Sequence, residues 1–307
     1  MLGGGDGALF TTTLVDMSEL VIVFLAGFAA SLVDGALGMG FGPTSSSVLL
    51  GTGLSPAAIS TTVNLAKVAV GLTAAVAHHQ FDNIDRRLVR SLALPGCAGA
   101  LIGVTVLASV DGDRLKPILA GLLILVAARI LWRFSRSPSV PVVEEGSEAT
   151  DGREYRRRGT VVAAAVGGVT NGLVGAWGPV VTPFLLHRGL APRYAIGSVN
   201  TAEVAVAVVA SGSLLASIGG GGIDVAVVVA MLAGGMLAAP LAAWVIRFLP
   251  ARGMGVAVGG LLLAINVREL TSSMELGALR WALYGAIALV CALAAFRPRM
   301  TAGTTAA

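Results

Sequence analysis

Lys67 and Glu203 occupy matching places, VNLAKVAV and VNTAEVAV, in two copies of one apolar segment. An ammonium and a carboxylate at the same depth of such a segment suit two roles. Lys67 can attract an anion while Glu203 takes up and releases a proton; alternatively the two neutralise each other as a buried salt bridge that fixes packing. Asn64 and Asn200 lie one turn before them and add amide donors and acceptors. Ser60, Asn64, Lys67 and Gly71 fall at i, i+4, i+7 and i+11, which lines one helix face with polar or small residues. Asp34 is a third charged group, suited to proton exchange or to capping a helix end.

Each charged segment follows a glycine-rich stretch, GALGMGFGP ending at Pro43 and NGLVGAWGP ending at Pro179. The apolar segments after them, Pro43 to Leu50 and Pro179 to His187, are too short to cross a hydrocarbon core of about 30 Å as helices. Both read as broken or re-entrant helices. Irregular backbone is tolerated at membrane depth where it is buried in protein or lines a cavity. A half-helix beginning at such a break presents unpaired N–H groups and the positive end of its dipole, which favours an anion. Gly42, Pro43, Gly178 and Pro179 shape the breaks, and Thr44, Ser45, Ser46, Ser47 and Thr182 offer hydroxyls beside them. Phe41 and Trp177 correspond and are expected to wall the breaks. Glycines at these places also serve close helix packing.

The copies align without a gap from Leu37 to Val70 against Leu173 to Val206, with 14 of 34 positions identical, among them Gly53/Gly189 and Pro56/Pro192. Abundant Ala, Val, Leu and Gly make some of that identity accidental, but the matched Asn, Pro and Gly-Pro positions are not generic apolar fill and indicate duplication of a unit larger than a solenoid repeat. With 55% hydrophobic and 12% charged residues over 307, and mean hydropathy +0.85, the chain is a polytopic membrane protein. Continuous Ala/Leu/Gly-rich runs predict helices rather than barrel strands. The net charge of +4 sits in short Arg clusters between apolar runs, so it signals topology and not nucleic acid. Cys97 and Cys291 show no disulfide or zinc spacing, and neither a metal nor a cofactor is expected. Met1 to Ser18 has no Lys or Arg, so the first apolar run is expected to be retained.

The expected architecture is all-α. A first transmembrane repeat covers 17–134, with helices over 17–34, 43–50, 56–79, 88–110 and 115–133. A linker of cytoplasmic character covers 135–158. A second repeat covers 159–270, with helices over 159–170, 179–187, 192–217, 223–248 and 251–267, and one additional helix covers 276–296. Arg86, Arg87 and Arg90, the Arg-rich linker, Arg247 with Arg252, and Arg297 with Arg299 can all face the cytoplasm together; the turn at 218–224 has no basic residue and would face outside. The halves then enter from opposite sides, as inverted-topology repeats, with the C-terminus cytoplasmic. Arg114, Lys116, Arg268 and Arg280 run against this assignment. His78 and His79 fall at the cytoplasmic end of their helix.

At GALGMGFGP...LLGTGLSP and GLVGAWGP...LLHRGLAP the chain resembles the TauE/SafE family of membrane transporters, described as sulfite exporters. The resemblance runs over about residues 20 to 296. Met39, Phe41, Ala176 and Trp177 interrupt glycine runs that are longer in the family. The resemblance implies a secondary transporter exporting sulfite, an organosulfonate or a related small anion; together with the Lys67 and Glu203 positions and the inverted halves, it gives the expectation of proton-coupled export across the inner (plasma) membrane with alternating access. It implies a small anionic substrate, a lipid environment and no nucleic-acid partner, with homo-oligomerisation left open. Substrate contacts are then expected at Gly42, Pro43, Thr44, Ser45, Ser46, Asn64, Lys67, Gly178, Pro179, Thr182 and Asn200, and proton coupling at Glu203 and Asp34. An anion channel, or a non-transporting membrane accessory protein or enzyme, remains the alternative. The chain carries no HExxH, GxSxG or Walker A motif.

Overall fold

The computed structural model describes residues 17–37, 39–135, 158–218, 224–245, 251–274, 276–277 and 279–296. The regular structure among these residues is all helical: α1 Met17–Leu37, α2 Phe41–Leu50, α3 Pro56–Gln80, α4 Arg86–Ser109, α5 Gly112–Ser135, α6 Thr160–Val174, α7 Gly178–His187, α8 Pro192–Ile218, α9 Val225–Val245, α10 Ala251–Ser273 and α11 Leu279–Phe296. Six described helices, α1, α3, α4, α5, α8 and α10, contain stretches long and apolar enough to cross a membrane. Helices α2 and α7, at ten residues each, are the short elements expected after the breaks. The linker over 136–157 and the tail beyond 296 lie outside the described residues, as do Arg247, Arg297 and Arg299.

Local sequence accounts for the helix starts. Pro56 and Pro192 open α3 and α8, where a missing N–H has no consequence, and Ser55 accepts a hydrogen bond from the Ala58 amide at 3.2 Å. The corresponding Gly53 and Gly189 both adopt left-handed backbone, φ +87° and +95°, in the turns that precede those helices. A residue with a Cβ is strained there, which explains why both copies keep glycine.

Packing ties each half to the other. Helix α4 packs chiefly on α6, and the corresponding pair, α9 and α1, packs to a similar extent. Small residues permit both crossings: between α4 and α6, Gly99 lies against Ala165 and Val169, Gly168 against Gly96 and Ala100, and Gly103 against Gly172, while between α1 and α9, Gly27 lies against Met231, Gly234 against Phe24 and Phe28, and Gly235 against Gly27 and Ser31. Two further pairs are equivalents meeting each other, α3 with α8 and α5 with α10. In both, the partners run in opposite directions. Phe134 and Leu131 of α5 meet Gly255 and Gly259 of α10, while the turn after α3, at Asn83 and Asp85, reaches the early part of α8 at Gly197 and Ser198.

A Cβ on Gly168 would overlap the backbone of Gly96, whereas one on Gly121 of α5 meets nothing within 4 Å. Gly168→Ala is therefore expected to lower the unfolding temperature in detergent by several degrees or to abolish folded protein, and Gly121→Ala to leave it level or raised, in line with a helix-propensity gain of about 0.5–1 kcal/mol. Equal tolerance of both substitutions would contradict this α4–α6 crossing.

Candidate functional site

The two breaks pack directly on each other. Gly42 lies against the backbone of Gly175, and its counterpart Gly178 lies against Met39, the counterpart of Gly175. A side chain at residue 42 would collide with the Gly175 carbonyl, so the approach depends on glycine.

Helix α3 brings Lys67 to this junction, where its side chain is buried. The ammonium donates to Asn171 Oδ1 at 2.9 Å and to the Gly175 carbonyl at 2.5 Å, and it forms an ion pair with Glu203 of α8. An ammonium has three donors, and all three acceptors come from the second half of the chain. Asn171 also anchors a second layer of contacts. Its amide donates to Asn64 Oδ1 at 2.7 Å, the Asn64 amide donates to the carbonyls of Ser60 at 2.9 Å and Asn171 at 3.3 Å, and Ser60 donates to the Gly172 carbonyl at 2.6 Å. Ser46 adds a bond to the Val174 carbonyl at 2.8 Å. The end of α6 is thereby fastened to α2 and α3.

A narrow cleft, continuous with the exterior, reaches the ion pair. Asp34, Gly42, Pro43, Lys67, Gly178, Pro179, Asn200 and Glu203 line it, together with Phe41, Met39 and Gly175. Val70, Gly71 and Ala74 extend its wall beyond Lys67 towards the C-terminal end of α3. It therefore opens on the side of the α3–α4 turn. On the other side of Lys67, Ser60, Val63 and Asn64 are fully buried.

The hydroxyls expected to face an anion are elsewhere. Ser45 donates to the Phe41 carbonyl at 2.8 Å, Ser46 to Val174, and Ser47 accepts from Asn266 at 2.7 Å; Thr44 and Thr182 are buried with their Oγ1 atoms unpaired. A ten-residue helix wedged between neighbours turns most of its faces into packing, so few side chains remain for the cleft. Asn64 is likewise committed to the sealed layer, while Asn200 stands in the cleft without a hydrogen bond among the described residues. Asp34 caps α2, accepting from the amides of Gly40 at 2.8 Å and Phe41 at 3.2 Å, so that half-helix already holds a carboxylate at its positive end. Helix α7 has no side-chain cap. Thr170 stands where Asp34 stands in the first copy and donates to the Ala176 carbonyl at 2.8 Å. Phe41 lines the cleft, while Trp177 is buried against Gly96 and Gly167, its Nε1 donating to the Val199 carbonyl at 3.1 Å.

Asn171 is the site residue that repeat alignment conceals. Its counterpart is Gly35, so comparing the copies draws no attention to it. An amide one turn from a Gly break, in an otherwise apolar helix, is the signal that could have marked it.

The sulfite exporter TauE/SafE family profile matches residues 23–269. The chain is 37% identical over 257 residues to the "Probable membrane transporter protein YtnM" of Bacillus subtilis (strain 168), with 83% of each chain covered. No solved structure matches. The doubled break, its paired Lys and Glu and the apolar helices around them thus belong to a multi-pass membrane protein of the TauE/SafE transporter family.

Proposed function

We propose that the chain is a secondary transporter that exports a small oxyanion, such as sulfite or an organosulfonate, across the inner membrane together with a proton, by alternating access of two inverted halves. The observation that carries this reading is the Lys67–Glu203 pair at the end of a cleft open to one side. The opposed directions of α3 with α8 and of α5 with α10 support inversion of the halves.

Charge balance gives the coupling. With the site empty, the Glu203 carboxylate neutralises Lys67. An arriving anion needs the same ammonium, and an extra negative charge at membrane depth is costly by at least a few kcal/mol. Protonating Glu203 removes that charge and releases a donor of Lys67 to the anion. The empty and loaded sites then carry the same net charge, so a monoanion moves with one proton. Export runs while the inside-to-outside anion ratio exceeds the opposing proton gradient. The uncapped start of α7 adds positive potential beside the anion, and Asn200 a free amide. Beyond Lys67 the Asn64–Asn171 layer closes the path, which favours a carrier over an open channel.

Anion affinity on the cleft side is expected to rise about tenfold per unit fall in pH while Glu203 is ionised in the empty site. Glu203→Gln removes that slope and the response to a pH gradient but keeps anion exchange, whereas Lys67→Ala lowers sulfite flux by about a hundredfold or more. Sulfite flux in proteoliposomes with and without a pH gradient reads both. Near-normal coupled flux in both variants would sink the proposal.

Asn171→Asp places a second carboxylate on Lys67, in competition with the anion. It is expected to weaken anion binding by about tenfold or more while the protein stays folded. Unchanged half-saturation in the same flux measurement would remove Asn171 from the site.

A further inference from the structure

The duplication permits each contact to be checked against its counterpart, and the site is not symmetric. Ser46 and Asn64 hold the end of α6: Ser46 donates to the Val174 carbonyl, and Asn64 pairs with Asn171. Their counterparts are Thr182 and Asn200. Thr182 Oγ1 is buried with no partner, and Asn200 makes no hydrogen bond among the described residues. A buried hydroxyl left without a partner carries a desolvation cost that a contact elsewhere would recover. Asn171 has Gly35 as its counterpart, so of the Asn64 contacts Asn200 can repeat only the bond to a backbone carbonyl; that donor and the Thr182 hydroxyl, as counterparts of Asn64 and Ser46, are present and unused at the end of α1.

Burial shows the same asymmetry. Val70, Gly71 and Ala74 of α3 line the cleft, while their counterparts on α8, Val206, Ala207 and Ala210, are fully buried, with Val206 packed on Gly96 of α4. Asn64 is buried where Asn200 is open. One half is clamped and sealed, and its counterpart is unclamped and open.

We infer that the chain has a second state in which these roles exchange: Thr182 and Asn200 clamp the α1–α2 break, the Ser46 and Asn64 clamp on α6 releases, and a counterpart cleft opens along Val206, Ala207 and Ala210 on the side opposite the α3–α4 turn. Lys67 and Glu203, being each other's counterparts, stay at the pivot and face each cleft in turn. This inference rests on the transporter reading and names the residues that make its gates. Thr182 becomes a gate residue, a role that its absence from the present cleft would not suggest.

The test uses the full-length protein with Cys97 and Cys291 replaced by Ala, reconstituted in vesicles, and a membrane-impermeant maleimide. Ala74→Cys is expected to label from the side of the α3–α4 turn, and Ala210→Cys only slowly and only from the other side. Adding Ser46→Ala and Ser60→Ala removes two hydrogen bonds of the present state and is expected to shift labelling towards Ala210→Cys by about thirty-fold. Thr182→Val removes a clamp of the second state only, so it slows Ala210→Cys labelling by about fivefold and leaves thermal stability level or raised. Where Ala210→Cys yields no folded protein, protection of Ala74→Cys by the Ser46/Ser60 pair of substitutions gives the same answer. Sulfite flux without any labelling of Ala210→Cys, or a Thr182→Val variant that labels like the parent, overturns the exchange while leaving transport intact. Exchange of labelling without flux of any tested oxyanion supports the two states and overturns the transporter reading.

Discussion

A single ammonium sets the terms for the rest of the structure. Lys67 is buried near the middle of α3, and an unpaired charge there is costly. Every acceptor it uses is supplied by the second half: a carboxylate from α8, an amide oxygen from the end of α6 and a carbonyl freed by the break at Gly175. That last acceptor exists only because the helix stops there; within a continuous helix the carbonyl would be engaged four residues on. The glycines of both breaks then bring the two backbones close enough for these groups to reach the lysine. Break, close approach and buried cation form one arrangement, and none is stable without the other two.

The surrounding helices follow from that demand. A junction of two breaks at depth must be shielded from lipid, because its backbone groups are not all paired within helices. Exchange of partners between the halves provides the shield, with α6 laid along α4 and α1 along α9. Such close crossings require the small residues at 27, 99, 103, 168, 172 and 234. The high glycine content of the chain thus has two separate uses. At the breaks it permits backbone contact that builds a site, and along the helices it permits backbone contact that closes the structure around it.

Much of this was legible in the sequence. Short helices at the Gly-Pro pairs, helix starts at Pro56 and Pro192 and the correspondence of residues 67 and 203 each follow from hydropathy, proline stereochemistry or the internal alignment, whereas direct pairing of the two charges stays one of two open readings until the structure brings them together. What escaped was orientation around short helices. Ser45, Ser46, Thr44 and Thr182 were reasonable donors by composition, yet which face of α2 or α7 meets the cleft depends on neighbours from the other half. Asp34 could be read as a cap or a proton site; its bonds to the Gly40 and Phe41 amides make it a cap that also lines the cleft. Asn171 escaped because the alignment that revealed the duplication sets it against a glycine.

Geometry also explains why the copies diverged where they did. A residue at the pivot between two related halves meets its own counterpart, so an exact duplication would place two lysines or two glutamates face to face. Like charges buried at such a distance cannot both stay ionised. A perfectly repeated site could hold only neutral groups there, and opposite charges require that one copy change. Asn64 and Asn200, lying off the pivot, meet different partners and were free to remain the same. The Lys/Glu difference inside an otherwise matching frame is therefore the substitution that the fold itself demands once a charge is to be carried at its centre.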